Sequence, residues 1–121
     1  MQEFKLIVAG GRDFNDYELM HDKLFELAET VYRDKLVSIV SGMAKGADIM
    51  AYHIAVRENA AVYKFPANWD KYGKGAGYRR NEDMARFADG LLAFHDGVSK
   101  GTANMIQIMQ RLSKAVHVVK Y

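Results

Sequence analysis

Short apolar runs and longer stretches of helical apolar spacing alternate along the chain. Phe4 to Ala9 is brief, nearly uncharged and rich in β-branched and aromatic residues, the pattern of a strand covered on both faces, and it stops at Gly10-Gly11. The period then changes. Between Asp16 and Tyr32 the positions Tyr17, Met20, Leu24, Leu27, Ala28 and Val31 recur at the spacing of one helix face, and Asn15 with Glu18 reads as a capping box. Leu36 to Val40 repeats the strand pattern, and Ala47, Met50, Ala51, Ile54 and Ala55 line one side of a second helix. Ala61 to Phe65 predicts a third strand, closed by Pro66, and a third helix runs from Tyr78 to Phe87. Leu91 to Phe94 is a fourth strand. Thr102 to Leu112 is a fourth helix with Met105, Ile106, Met109 and Leu112 inward, and Val116 to Val119 is a closing strand. Pro66 to Gly77 holds three glycines and the sole Trp without a clear period, which predicts a lid or binding loop.

Strands separated by helices of this length demand right-handed parallel crossovers. The expected fold is therefore α/β: a single three-layer Rossmann-like domain spanning residues 1–121, with an open, mainly parallel sheet of about five strands and helices on both faces. In such a sheet the turns that follow the strands gather along one edge, where backbone N–H groups and helix N-termini favour an anion. Three such turns occur here: Gly10-Gly11-Arg12, Ser41-Gly42 through Gly46-Ala47-Asp48, and Ser99-Lys100-Gly101-Thr102. That edge is the expected site.

A length of 121 residues suits one hydrophobic core, with roughly two-thirds of the extended chain's surface removed from water. The 17 Lys and Arg against 15 Asp and Glu leave a net charge of +2, which argues against an electrostatic grip on nucleic acid. The cations are nevertheless clustered. Arg12, Lys45, Lys71, Lys74, Arg79, Arg80 and Lys100 fall in or beside the glycine-containing turns, so a small anionic ligand is expected. With no cysteine there are no disulfides or thiolate metal ligands, no metal-ligand spacing is present, and no apolar run approaches the ~20 residues of a membrane span. The expectation is a cytoplasmic protein without a membrane partner and with no required cofactor.

The spacings exclude the Gly-x-Gly-x-x-Gly dinucleotide fingerprint and the Walker phosphate loop. Gly10 and Gly11 let a ligand approach the main chain, and Arg12 adds a positive fork. Asp48 either caps the second helix or accepts hydrogen bonds from a ribose. Ser99, Gly101 and Thr102 combine hydroxyls, a glycine backbone and a helix start, which suits a monophosphate or an ordinary N-cap. Trp69 and Tyr72 either stack on a base or pin their loop to the core. His95 beside Asp96 is a general acid or base, or a hydrogen-bonded surface residue; His21, His53 and His117 read as structural.

The motifs Gly10-Gly11-Arg12-Asp13-Phe14, Ser41-Gly42 to Gly46-Ala47-Asp48, Pro66-Ala67-x-Trp69, Ala76-Gly77-x-x-Arg80-Asn81-x-x-Met84 and Ser99-x-Gly101-Thr102 resemble the short YspA-like branch of the SLOG superfamily over nearly the whole chain. That superfamily includes the Lonely-guy phosphoribohydrolases and the Smf/DprA DNA-processing proteins. The resemblance implies a Rossmann-like fold that binds nucleotides or nucleotide-derived molecules, and pairing of subunits through helices near the ligand edge. It places Arg80 at the functional arginine of the phosphoribohydrolases and Asn81 at their lysine, and it aligns Gly101-Thr102 with their Gly-Thr. Met105 stands where they carry the glutamate that helps cleave an N-glycosidic bond, and Val98 and Ser99 stand near their glycine pair.

The expected function is binding of a nucleotide-derived ligand such as ADP-ribose, an NAD derivative or a nucleoside phosphate, as a sensor or sequestering protein. The expected ligand-binding residues are Gly10, Gly11, Arg12, Ser41, Gly42, Gly46, Asp48, Trp69, Arg80, Asn81, Ser99, Gly101 and Thr102. An alternative is an N-glycoside hydrolase using Arg80 to steer phosphate and Asp48, Glu82 or Asp96 as the acid. A third is a single-stranded nucleic-acid binder using Trp69, Tyr72, Lys71 and Lys74.

Overall fold

The computed structural model describes residues 1–121. The elements run β1 (Gln2–Gly10), α1 (Tyr17–Glu29), β2 (Lys35–Ser41), α2 (Ala47–Arg57), β3 (Val62–Lys64), α3 (Trp69–Tyr72), a 3₁₀ turn (Gly73–Gly75), α4 (Ala76–Phe87), β4 (Gly90–His95), α5 (Lys100–Arg111) and β5 (Ala115–Lys120). Every strand expected from the pattern is present, and every pairing is parallel. The sheet order is β3-β2-β1-β4-β5.

Strand alternation splits the core in two. Leu6 and Val8 of β1, Ile39 of β2 and Leu92 and Phe94 of β4 join Met20, Leu24, Leu27, Ala51 and Ile54 of α1 and α2 on one face. Ile7, Ala9, Val40, Leu91 and Ala93 point the other way and meet Met84, Ala85, Met105, Ile108 and Met109 of α4 and α5. The two central strands are thus buried on both sides, which is why they read as unbroken apolar runs.

Several local details depart from the sequence expectation. The N-cap of α1 is Asp16, whose Oδ1 accepts from the Leu19 N–H at 3.1 Å, so the cap lies one residue beyond Asn15. Val31 is 61 % exposed because α1 has already ended, and Tyr32 turns inward in its place to stack on Phe4. On α5 the buried set is Met105, Ile108 and Met109, while Leu112 follows the helix end and is exposed. The loop from Pro66 to Gly77 contains α3 and the 3₁₀ turn, and both are too short to produce a readable period.

Lys114 closes the C-terminal end of α4. Its Nζ donates to the carbonyls of Ala85 at 2.7 Å, Ala88 at 2.7 Å and Arg86 at 3.3 Å, groups that the helix itself leaves without partners. Lys114→Met keeps the aliphatic stem and removes the charge. It is expected to cost about 1–3 kcal/mol in urea unfolding, and an unchanged midpoint would show that water replaces the ammonium at no cost.

Candidate functional site

The order β3-β2-β1-β4-β5 reverses direction between β1 and β4. Chain leaving β1 passes to the α1/α2 face, and chain leaving β4 passes to the α5 face, so the two loops diverge and open a crevice beyond the strand ends. A cavity of about 560 Å³ occupies it. Gly10, Gly11, Arg12, Asp48, Trp69, Arg80, Asn81, Ser99, Gly101 and Thr102 all line this cavity. Five elements or loops therefore meet at one place.

Three expected site residues sit behind its wall. Ser41 is fully buried; its Oγ donates to the Asp48 carbonyl at 2.9 Å and accepts from the Met43 N–H at 3.1 Å. The Gly42 carbonyl accepts from Arg80 Nη1 at 2.6 Å. Gly46 lies under the first loop, against the Gly11 and Arg12 carbonyls. All three shape the β2–α2 loop, and none lines the cavity.

The start of α5 has the freest backbone N–H groups of the crevice. Ser99 is its N-cap and makes no side-chain capping bond; the Ser99 and Thr102 hydroxyls bond to each other at 3.1 Å. No protein acceptor takes the N–H groups of Lys100, Gly101 or Thr102. Asp96 fixes the preceding turn by accepting from the Val98 and Ser99 N–H groups, each at 2.8 Å, and these bonds hold its carboxyl below the ordinary carboxylate range. His95 Nε2 contacts the Ser99 carbonyl at 3.2 Å, so it braces the same turn. By contrast, the first N–H of α2 is already used, since Ala47 donates to the Gly11 carbonyl at 3.2 Å.

Arg80 is held by two bonds. Besides Gly42, its Nε donates to Asn81 Oδ1 at 3.1 Å. Asn81 is buried, and its Nδ2 donates to the Gly101 carbonyl at 3.3 Å and to Asn104 Oδ1 at 3.0 Å, so one amide fixes both the arginine and the start of α5. Burial lowers the Arg80 pKa; the Asp48 carboxylate works against that, and the positive charge of Arg12 adds to it. Two neighbouring guanidinium groups repel each other until an anion lies between them.

Asp48 is the N-terminal acid of α2 and only 5 % exposed. Gly46 is the N-cap of that helix, so the capping alternative for Asp48 is set aside. Its Oδ2 accepts from the Ala44 N–H at 3.4 Å. Desolvation pushes its pKa up to about 6, against the opposing pull of Arg80, the Ala44 N–H and Arg12. Of the other carboxyls considered as acids, Glu82 pairs with Arg111 at 2.9 Å outside the cavity, and Asp96 is committed to its turn. Met105 lines the cavity floor as an apolar side chain.

The aromatic residues differ from the expected pair. Trp69 lines the cavity and is 50 % exposed, and Tyr78, which the sequence did not single out, joins it at 48 % exposure. Tyr72 does not line the cavity: its ring lies 4.3 Å from the Arg79 guanidinium carbon and 5.2 Å from Lys71 Nζ. Of the clustered cations, Arg12, Lys74 and Arg80 reach the cavity, whereas Lys45, Lys71, Arg79 and Lys100 do not line it. Tyr121 was also missed. Its hydroxyl donates to Asp13 Oδ1 at 2.9 Å and lies against Gly11, so the residue that follows β5 braces the first loop.

A doubly wound parallel sheet with a crevice at its switch point defines the chain as an α/β domain of the Rossmann-like class. The family model described as YspA, cpYpsA-related SLOG family matches residues 4–72. Gene 61 protein of Mycobacterium phage D29 is 32 % identical over 114 residues, covering 88 % of this chain and 89 % of that protein. The chain belongs to the YspA, cpYpsA-related SLOG family. DNA processing protein A from Helicobacter pylori has a similar fold, with a TM-score of 0.62 at 22 % identity over 97 % of this chain; the chain spans 65 % of that structure's length. That protein binds single-stranded DNA. The small net charge had argued against nucleic acid as a partner, and this neighbour corrects the inference: a protein of this fold binds single-stranded DNA, so a small net charge is no ground for excluding nucleic acid. No helix is long and apolar enough to cross a membrane.

Proposed function

We propose that the cavity binds a nucleotide or nucleotide-derived ligand, with phosphate at the start of α5, the ribose near Asp48 and the base against Trp69. The observation that carries this reading is the meeting of unclaimed α5 N–H groups with the Arg12 and Arg80 charges in one crevice. A carboxylate at the position of Asp48 suits ribose hydroxyls, and Tyr78 and Lys74 extend the rim. Sensing or sequestering a nucleotide signal fits a site built for binding, since Met105 offers no carboxylate for turnover.

Calorimetry with ADP-ribose, NAD and nucleoside monophosphates tests the reading. Arg80→Ala is expected to weaken binding about 10- to 100-fold, the range of a charge-assisted hydrogen bond. Thr102→Ala is expected to weaken it by less. No binding by the native chain, or undiminished binding by both variants, would overturn the proposal.

Single-stranded nucleic acid is a second reading, supported by the fold shared with DNA processing protein A and by the exposed Trp69 and Tyr78 rings beside Lys74. A salt-sensitive gel shift with single-stranded DNA that disappears in Trp69→Ala is its expected signature. Release of free base on long incubation would instead mark N-glycoside cleavage, with Asp48, the buried carboxyl of the cavity lining, as the acid.

A further inference from the structure

Trp69 is shared by two recesses. It lines the large cavity and also a smaller one of about 380 Å³, whose other walls are Pro66, Ala67, Asn68 and Asp70; no other residue lines both. The smaller recess does not suit a phosphate, since it contains no Lys or Arg and Asp70 brings a negative charge. Asn68 Oδ1 accepts from the Lys71 N–H at 3.1 Å, which leaves the Asn68 amide N–H groups as donors and the Asp70 carboxylate as an acceptor. An indole face, a proline ring, one donor group and one acceptor suit a planar heterocycle with exocyclic N–H groups, which is the chemistry of a nucleobase.

Resting on the nucleotide-binding reading above, we propose that this recess is a second base subsite and that the ligand class is a dinucleotide. One base lies on each side of Trp69, and the phosphates that join them lie in the large cavity. Because Trp69 is half exposed, the linking backbone passes over the solvent edge of its ring.

The chain's sole tryptophan reports binding by its own fluorescence. The 5′-phosphorylated dinucleotide of adenosine is expected to bind about 10-fold or more tightly than adenosine 5′-monophosphate, the gain of one added stacked base. Asp70 is exposed, so Asp70→Ala should fold normally; it is expected to lower dinucleotide affinity about 5-fold and to leave monophosphate affinity unchanged. Equal affinity for the two ligands, or a dinucleotide affinity indifferent to Asp70→Ala, overturns the second subsite while the first stands. A further gain with each nucleotide past the second replaces it with a continuous strand track. Failure of both ligands to bind overturns the proposed function as well.

Discussion

Asp48→Asn is expected to stabilise the ligand-free protein by about 3 kcal/mol at pH 8 while weakening its hold on a ribose-bearing ligand. The native carboxyl keeps its proton up to about pH 6, whereas the ordinary value is 3.8. Between those values the folded state binds more protons than the unfolded one, so stability falls as pH rises and stays reduced above the window. A gap of this size corresponds to about 3 kcal/mol. Asparagine does not ionise, and its carbonyl can still accept from the Ala44 N–H. Urea unfolding at pH 4, 6 and 8 should therefore show the native chain weakening across the window and the variant staying level with respect to this group. Parallel profiles would mean that Asp48 is solvated enough to ionise normally. A buried, costly carboxyl that lines a cavity is the kind of group retained for binding, and the expected gain in stability with loss of affinity is the sign of it.

Gly46→Ala is expected to have the opposite effect on stability, costing about 3–5 kcal/mol. Gly46 has φ +92°, where L side chains are strained, and a Cβ there would meet the carbonyl oxygens of Gly11 and Arg12, the latter at 2.6 Å. Both obstacles are main chain. Relief must move the Gly11-Arg12 turn or the start of α2, which are joined by the bond from the Ala47 N–H to the Gly11 carbonyl. The urea midpoint should drop steeply, and Arg12 should leave its place in the cavity. Gly101 gives the contrast: a Cβ there meets nothing within 4 Å, so Gly101→Ala is expected to gain up to about 1 kcal/mol from helix propensity. If Gly46→Ala unfolds at the native urea concentration, the packing of the two loops is looser than the structure describes.

The two classes of residue differ in how far they can be found from sequence. Gly10-Gly11-Arg12 stands directly after an apolar run and Ser99-Gly101-Thr102 a short turn after one, so their place beyond strand ends followed from period and punctuation alone. Asp48 was visible as an acid in a helix's first turn, but capping and ligand contact share that position; only the N-cap at Gly46 separated them. Tyr72 ends the short α3 and Tyr78 lies in the first turn of α4, and nothing in their six-residue spacing tells which ring faces the crevice. The roles of Asn81, Lys114 and Tyr121 depend on partners 20, 29 and 108 positions away, a range that local pattern does not reach.

Period and turn chemistry along the chain determined that five strands and the main helices would alternate, that the sheet would be parallel, and that three glycine-containing turns would lie on one edge. Local sequence carries such information because side-chain periodicity and backbone freedom act over a few residues. The order β3-β2-β1-β4-β5, the crevice between β1 and β4, and the choice of α5 over α2 as the open helix start were decided only by tertiary structure. Each depends on which distant backbone groups find partners, and that is settled when the layers pack.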